Sequence, residues 1–228
     1  MTAPVLLVDD HSLFAQALQL GLVAADLPAD RVLPTSAAAV LAACAAAAPA
    51  TVLLDLRLGC GEDGEPIDGL DLVGPLTEAG CRVVVVTGEV GDDVWGTAVE
   101  RGAATVVPKE TALDDLVTLA RAVHAGEPVL DEGRRQDLLA AARRARREED
   151  ARLAPFRSLT PREDEVLRCM AEGLPAAAIA ATAHVSEATV RTQIRAVLSK
   201  LQVSSQLQAV ALARQAGWLD AAPETPTR

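Results

Sequence analysis

Four short apolar runs near the front of the chain each end in a polar side chain that is capable of chemistry. Asp9 and Asp10 follow the first run, Asp55 the second, Thr87 the third and Lys109 the fourth. Short β-rich runs separated by helical stretches predict buried parallel strands, whose carboxyl ends meet at one edge of a sheet. Three carboxylates gathered there cannot all ionise cheaply unless a cation lies between them. Because an oxygen-only set suits Mg²⁺, the pattern predicts a site for a hard divalent metal and a phosphoryl group.

The elements that position these side chains alternate along the front half of the chain. The predicted strands are 5–8, 31–34, 51–55, 83–87 and 105–108, and the predicted helices are 13–22, 36–48, 70–79, 92–101 and 112–125. Thr111 is expected to cap the last of these helices, with Asp114 in its first turn. Five βα units predict an α/β domain over residues 1–126, with a flavodoxin-like, five-stranded parallel sheet.

Residues 127–157 have a different composition. Seven arginines, several acids and few large apolar residues are found in 134–152. A nucleic-acid-binding basic tract and a solvated helical linker both fit this composition. The acids neutralise much of the run and lie at helical i,i+4 spacing from the arginines, as in Arg144 and Glu148. The pattern therefore favours a charged helical linker.

The rear of the chain is predicted to be a small all-α domain of four helices over 158–222, followed by a disordered tail at 223–228. Thr160 and Glu163 match a capping box ahead of the first helix. A short Ala-rich helix follows, and Ser186 caps a third helix that has an apolar stripe and a polar face. The stripe consists of Val190, Ile194, Val197, Leu198 and Leu201, and the polar face of Arg191, Thr192, Arg195 and Ser199.

Length, composition and charge limit the class of protein. The 228 residues have room for one large domain or two ordinary ones, and a 2% aromatic content beside abundant alanine favours helices packed through small side chains. The formal net charge of −11 is uneven, because residues 1–126 hold 6 Lys and Arg against 18 Asp and Glu. Residues 127–228 hold 15 against 14. The acidic front half argues against nucleic acid there, whereas the near-neutral rear half leaves it open.

We expect a cytoplasmic protein, because the sequence shows neither a membrane span nor a secretion signal. No apolar run approaches the roughly 18 residues that a membrane span needs, so we expect no membrane partner. The N-terminus enters a strand almost at once, without a basic region and a cleavage site, and we expect no signal peptide. The four cysteines show no C-x-x-C spacing, which favours reduced thiols over disulfides.

Two sets of motifs carry a resemblance to known domains. The rear set is Leu159-Thr160-Pro161-Arg162-Glu163, Glu172-Gly173-Leu174, Val185-Ser186-Glu187 and Thr189-Val190-Arg191, and the front set is the strand-end pattern above with Asp10-His11 and Ala122-Val123-His124-Ala125-Gly126-Glu127. The rear set resembles the LuxR-type helix-turn-helix, and the front set resembles a receiver domain. Together they resemble two-component response regulators of the NarL/FixJ type, over nearly the whole chain except the loop after Asp55 and the linker.

The resemblance implies a role for each residue of the pocket. Asp55 would accept a phosphoryl group from a sensor histidine kinase, and Asp9 and Asp10 would hold Mg²⁺ together with it. Thr87 would hydrogen-bond the phosphoryl group and move inward, while Lys109 would place a positive charge beside a phosphoryl oxygen. The protein would be no enzyme beyond its own Mg²⁺-dependent phosphorylation and dephosphorylation. Phosphorylation would control formation of a homodimer and its binding to double-stranded promoter DNA.

The resemblance also implies that helix 187–201 is the recognition helix, whose N-terminal residues face base edges in the major groove. Arg191 and Arg195 lie i,i+4 on its outer face, where guanidinium groups reach guanine or phosphate. The following helix, with Leu207 and Val210, resembles the family's dimerisation helix. The remaining expected contacts are Thr192 and Gln193 to base or sugar, and Thr189, Lys200 and the backbone near Ser186 to phosphate.

The chain departs from the receiver pattern at two places. Residues 59–67 lengthen the loop after Asp55, and their acids lack the register of a calcium loop, so the sequence predicts a solvated loop. Because this loop borders the pocket, we expect it to tune kinase choice or phosphate lifetime. Val106 stands where the family has an aromatic switch residue, so the signal must leave by another route, for which Trp95 is a candidate.

Two other functions are compatible with parts of the sequence. A phosphohydrolase of the haloacid dehalogenase kind also forms an aspartyl phosphate, but it needs a second acid where Arg57 stands, and it leaves 159–219 unexplained. A DNA-binding regulator that works without phosphorylation would use an atypical receiver as a fixed dimerisation platform. The intact pocket disfavours that alternative, whereas Val106 and the long loop keep it open.

Overall fold

The computed structural model describes residues 3–220, and the predicted tail at 223–228 lies outside the described residues. The chain forms two compact units, which follow each other in sequence at Ala145 and Arg146. This division falls within the segment predicted to be a linker, and the predicted domain limits stay predictions. Among residues 3–220, no helix combines the length and the apolar character needed to cross a membrane.

The first unit is built on a five-stranded parallel sheet. The strands in the described part of this unit are β1 (Val5–Val8), β2 (Ala29–Val32), β3 (Thr51–Leu54), β4 (Arg57–Cys60), β5 (Pro66–Asp68), β6 (Arg82–Thr87) and β7 (Thr105–Pro108). The main sheet has the order β2-β1-β3-β6-β7. Its central strands are rich in valine and leucine because both faces of the sheet are covered. The predicted flavodoxin-like (βα)5 architecture is confirmed.

Helices cover both faces of this sheet. They are α1 (Ser12–Ala24), α2 (Ala37–Ala47), α3 (Gly69–Glu78), α4 (Asp92–Glu100), α5 (Leu113–Ala125) and the first part of α6 (Glu132–Arg157). Leu18 of α1 and Leu116 of α5 belong to the core on one face. Val40 of α2, Leu76 of α3 and Val99 of α4 belong to the core on the other face, which we call the α4 face.

Two local predictions differ from the structure. Strand β2 begins earlier than predicted. The predicted cap by Thr111 is wrong, because α5 begins at Leu113 and its N-cap residue is Ala112, which makes no side-chain cap bond. The backbone N–H of Thr111 instead donates to the Pro108 carbonyl in a turn. Asp114 lies in the first turn as expected, where a carboxylate interacts favourably with the helix dipole.

The segment predicted to be a solvated loop is part of an antiparallel hairpin formed by β4 and β5. Leu58 and Ile67 are buried in the core of the α4 face, so the hairpin has an apolar inner side. Gly59 and Gly64 adopt positive φ values, which L side chains rarely tolerate. The solvated-loop prediction is wrong where 59–67 overlaps the paired strands, and Ile67 is buried in the core, although the acidic tip is exposed.

The first half of α6 packs on the α4 face of the receiver sheet. Leu138 is 1% exposed and belongs to the same core as Val99. A Cβ on Gly96 of α4 would lie 1.9 Å from the Leu138 carbonyl oxygen, so only glycine permits this approach of the two helices. Arg134 of α6 forms an ion pair with Asp92 of α4. Interpreting this stretch as solvated linker is therefore wrong for its first half, although the helical prediction is confirmed.

The second unit is all-helical, as predicted. Within its described residues the helices after α6 are α7 (Pro161–Ala171), α8 (Ala176–Thr182), α9 (Glu187–Lys200) and α10 (Gln206–Gln215). The capping box of Thr160 and Glu163 is present at α7, and Ser186 caps α9. Phe156, at the end of α6, stacks on Trp218 with ring centroids 5.3 Å apart. The apolar stripe of α9 faces this core, with Val190, Ile194, Val197 and Leu201 buried.

Truncating the α6 side chain in the receiver core should destabilise the first unit. We expect Leu138→Ala to lower the free energy of unfolding of this unit by about 2–5 kcal/mol, because it removes a buried side chain and leaves a cavity. Urea unfolding followed by Trp95 fluorescence in a Trp218→Phe background measures this unit alone. Arg143→Ala, on the exposed side of α6, is the matched control and should change the value by less than about 0.5 kcal/mol. Equal effects of the two substitutions would contradict the packing of α6.

Candidate functional site

The predicted pocket residues lie at the carboxyl ends of four neighbouring strands. Asp9 follows β1, Asp55 follows β3, Thr87 ends β6 and Lys109 follows β7. Because β1, β3, β6 and β7 are adjacent and parallel, all four side chains reach the same edge of the sheet. Gly69, at the start of α3, fits against this edge, since a Cβ there would lie 2.0 Å from the Asp55 carbonyl oxygen.

Lys109 is the cation that holds the buried carboxylates together. Its Nζ lies 2.7 Å from Asp55 Oδ2 and 2.8 Å from Asp9 Oδ2. Asp55 is 3% exposed and Asp9 7%. Burial raises the pKa of Asp55, and the hydrogen bond from Lys109 opposes that rise. Burial alone would lower the pKa of Lys109, but the carboxylates of Asp55 and Asp9 outweigh it and the pKa is raised.

Asp10 and His11 complete the polar cluster. His11 Nδ1 lies 2.7 Å from Asp10 Oδ1 and 3.2 Å from Asp9 Oδ1, and the His11 backbone N–H donates to Asp9 Oδ1 at 2.7 Å. One ligand atom from each of Asp9, Asp10, His11 and Asp55 falls within 4.8 Å of the others. Three carboxylates against one lysine leave an excess of negative charge, and hard oxygen ligands are those that Mg²⁺ prefers. The donor set fits a divalent metal.

Thr87 is fully buried beside this cluster, and its backbone and side chain are both engaged. Its carbonyl accepts the backbone N–H of Lys109 at 2.9 Å, and its Oγ1 accepts the backbone N–H of Glu89 at 3.1 Å. A Cβ on Gly88 would meet no atom within 4 Å, so the loop after β6 leaves open space beside Asp55. The resulting cavity of about 520 Å³ is lined by His11, Asp55, Arg57, Thr87, Gly88, Glu89, Val90 and Lys109.

Arg57, the first residue of the β4–β5 hairpin, lines one side of this pocket. Arg57 Nε lies 2.5 Å from Glu89 Oε1, which joins the hairpin to the loop after β6. A Cβ on Gly59 would lie 3.2 Å from Asp10 Oδ2, so the hairpin also approaches the acidic cluster. Sequence reasoning missed Arg57 and Glu89 as pocket neighbours. Apolar Leu58 and Ile67 at the two ends of the insertion were the one signal that it folds back.

Val106, where the resemblance implies an aromatic switch residue, is buried in the core of the α4 face. Its isopropyl group cannot move between the inside and the surface as an amphipathic ring can, because it has no polar tip to present to water. Trp95 of α4, by contrast, is only partly buried and donates its indole Nε1–H to the Glu89 carbonyl at 2.8 Å.

In the second unit, the polar face of α9 presents most of the predicted DNA contacts. Arg191 Nη2 lies 2.6 Å from Glu187 Oε1, and Arg195 forms no ion pair with any residue in 3–220. Thr192 Oγ1 donates to the Ala188 carbonyl at 3.0 Å. At the start of the helix, Ser186 Oγ accepts the backbone N–H of Thr189 at 3.1 Å, and the two hydroxyls are 2.8 Å apart.

Two of the predicted DNA-contact residues, Gln193 and Lys200, are not simply exposed on the outer face of α9. Gln193 has a buried Oε1 that makes no hydrogen bond within the described residues. Lys200 Nζ donates to Glu163 Oε2 at 2.6 Å and to the Ser158 carbonyl at 2.8 Å. Burial raises the pKa of Glu163, but the hydrogen bonds from Lys200 and from the Thr160 backbone outweigh it and the pKa is lowered. Lys200 therefore stabilises the start of α7 as well as lying near the end of α9.

Comparison with known proteins gives two family matches. Residues 5–121 match the response regulator receiver domain, and residues 157–213 match the bacterial regulatory proteins of the luxR family. The nitrate/nitrite response regulator protein homolog of Haemophilus influenzae is 32% identical over 212 residues, which cover 91% of this chain and 94% of that protein. The nitrate/nitrite response regulator protein NarL of Escherichia coli K12 is 31% identical over 169 residues, covering 73% and 74%.

Among solved structures, the complex of the two-component response regulator RcsB with DNA aligns over 94% of this chain and 98% of that chain, at 20% identity and a TM-score of 0.48. The two family matches together cover most of the chain, and one relative is matched along nearly its whole length. The chain therefore belongs to the NarL/FixJ-type response regulators, which join a receiver domain to a LuxR-type DNA-binding domain.

Proposed function

We propose that this DNA-binding response regulator is switched by phosphorylation of Asp55 by a sensor histidine kinase. The observation that carries the proposal is the buried Asp9–Asp55 pair bridged by Lys109 at the carboxyl edge of the sheet. A buried, lysine-bridged carboxylate next to an open cavity is a nucleophile with room for a phosphoryl group. Phosphorylation would favour a homodimer that binds double-stranded promoter DNA.

In the proposed transfer, a carboxylate oxygen of Asp55 attacks the phosphorus of the kinase's phosphohistidine. An O–P bond forms while the N–P bond breaks, and the imidazole leaves with the bonding electron pair. Lys109 moves from bridging two carboxylates to neutralising a phosphoryl oxygen, and the Thr87 hydroxyl donates to another. Mg²⁺, held by Asp9, Asp10 and Asp55, would neutralise charge on the phosphoryl oxygens. Self-phosphorylation and its reversal by water would be the only reactions of the protein.

For DNA binding, we propose that α9 enters the major groove. Arg195, without an ion pair in the described chain, is ready to contact guanine or phosphate, whereas Arg191 must leave Glu187 to do so. Thr192 and Gln193 are proposed to contact base or sugar, with Gln193 turning its buried amide outward. The groups proposed to contact phosphate are Thr189, Lys200 and the backbone near Ser186.

The remaining parts of the proposal concern assembly and location. Leu207 on α10 is 80% exposed, and Val210 and Arg214 line the same surface, which fits a dimer contact of the second unit. We propose that the protein is located in the cytoplasm, where it can reach both the promoter and the kinase's phosphohistidine.

A phosphorylation-independent regulator is the second candidate function, and the buried Val106 in place of an aromatic favours it.

A phosphodonor experiment separates the two candidates. Incubating the protein with acetyl phosphate and Mg²⁺ should add one phosphoryl mass at Asp55, and chelating the metal with EDTA should prevent it. Asp55→Asn should gain no mass, because its amide is not a nucleophile. The phosphorylated protein should bind promoter DNA about tenfold more tightly, which is ~1.4 kcal/mol of coupling. Mass gain without any change in oligomeric state or DNA affinity would favour the phosphorylation-independent regulator.

Substitution of Arg195 tests the proposed recognition helix. Arg195→Ala should weaken binding to a duplex selected by the wild-type protein by about tenfold or more, since one base contact is worth ~1–3 kcal/mol. If Arg195 contacts phosphate instead, the loss should be uniform across sequences and the salt slope should fall by about one. Fluorescence anisotropy at several salt concentrations distinguishes the two. Arg143→Ala removes the same charge from the first unit and should leave the affinity unchanged; equal losses would refute the assignment.

Removing the hairpin wall tests its role in phosphate lifetime. We expect replacement of 59–66 by a two-residue Gly-Ser turn to speed loss of the phosphoryl group from Asp55 by about tenfold, or ~1.4 kcal/mol in barrier. The reason is that the strand pairing that holds Arg57 at the pocket is disrupted, so that water gains access. Decay is followed by mass spectrometry after removal of acetyl phosphate. Glu62→Gln, at the exposed tip, is the control that retains the wall. Unchanged phosphorylation and dephosphorylation rates would show that the hairpin has no such role.

A further inference from the structure

Trp95 links the pocket loop to α4 through hydrogen bonds that involve backbone groups. Its indole Nε1–H donates to the Glu89 carbonyl at 2.8 Å, and the Glu89 N–H donates to Thr87 Oγ1 at 3.1 Å. The two peptide groups of one residue, Glu89, therefore connect the buried threonine hydroxyl to the tryptophan ring. Gly88 has open space around it, so the backbone before Glu89 has room to move, while Arg57 pairs with the Glu89 carboxylate.

Helix α4 is in turn in direct backbone contact with α6. The Leu138 carbonyl oxygen would lie only 1.9 Å from a Cβ on Gly96, the residue after Trp95. Ala142, one turn further along α6, also approaches Gly96. No side chain separates the two helices at this point, so a small displacement of α4 has no flexible group to absorb it. Asp92 and Arg134 pair at the edge of the contact, but both are exposed and add little.

We infer that Trp95 transmits phosphorylation of Asp55 from Thr87 to the first half of α6, by way of Glu89 and α4. The inference rests on the proposed function. The Thr87 hydroxyl accepts from the Glu89 N–H in this structure. To reach a phosphoryl oxygen on Asp55, the Thr87 side chain rotates about χ1 and carries its Oγ1 away from that N–H. The Glu89 N–H then loses its acceptor, the loop relaxes, and Trp95 carries the shift into α4. The contact between Gly96 and Leu138 loosens, and α6 exchanges its amide protons more readily.

This route replaces signalling through an aromatic switch residue, because the chain has Val106 at that position. Its bistable element is the Glu89 peptide, which has a hydrogen-bond acceptor in one state and not in the other. Trp95 is a positioning residue in this scheme, since it touches neither Asp55 nor the phosphoryl group. Removing its N–H should therefore leave phosphorylation intact and abolish only the response of α6.

Hydrogen exchange on the full-length protein tests the inference. Amides of 134–142 are measured by mass spectrometry with and without acetyl phosphate and Mg²⁺, alongside the phosphoryl mass at Asp55. In the wild-type protein, phosphorylation should speed exchange there by about tenfold. Trp95→Phe keeps a ring in place but removes the donor, and it should gain the same phosphoryl mass with little change in exchange. The same response in Trp95→Phe as in the wild type, or no response in phosphorylated wild type, overturns the inference.

A second variant bypasses the pocket. Gly96→Ala places a methyl group against the Leu138 carbonyl, so exchange in 134–142 should be fast even without acetyl phosphate, while Asp55 still gains its phosphoryl mass. Should Gly96→Ala fail to fold, Leu138→Ala removes the buried side chain of the same contact and should produce a smaller rise. Slow exchange of the amides of 134–142 in folded Gly96→Ala, without acetyl phosphate, would contradict the role of this contact. Absence of phosphoryl mass on wild-type Asp55 overturns the proposed function itself and this inference with it.

Discussion

The structure depends on holding like charges together at one edge of a parallel sheet. Asp9 and Asp55 are buried within reach of each other, which costs free energy unless a cation lies between them. Lys109 is that cation, and it arrives from β7, the strand at the end of the row. Each carboxylate is fixed by its strand, so the strand order decides which groups meet. Moving β7 away from its place beside β6 would separate Lys109 from Asp55 and Asp9 and bury carboxylates without their partner, a defect of several kcal/mol.

That constraint explains why the additional structure of the receiver lies where it does. The pocket edge must remain open for a phosphodonor, so an insertion after Asp55 has to be folded away from it. The β4–β5 hairpin meets this need by burying Leu58 and Ile67 in the α4 face and leaving its acidic tip in water. Arg57 then reaches Glu89 along the wall of the pocket without covering Asp55.

The sequence predicted the elements that depend on local periodicity, but it did not predict the contacts between residues that are far apart in the chain. Asp55 and Lys109 were predictable because each follows a short apolar run that forms a strand. Strands joined by helices can be arranged in a sheet in only a few ways, so the residues that follow them were expected at one edge. The docking of α6 was missed because its stretch is dominated by arginines, and one leucine such as Leu138 gives no periodic signal. The pairing of Lys200 with Glu163 was equally hidden, since α9 and α7 are distant in sequence and a lysine at a helix end fits phosphate binding equally well.

The way α6 is held argues that it is suited to carry a signal. The ion pair of Asp92 and Arg134 is exposed and contributes little, so the docking of α6 rests mainly on Leu138, with Leu139 and Ala142 beside it. Full burial of one leucine side chain is worth about 1.5–3 kcal/mol. A coupling of ~1–3 kcal/mol, the usual range between two linked sites, is comparable with that value. A helix held more tightly would not respond to the loss of one hydrogen bond at Glu89, and one held more loosely would have no docked state to lose.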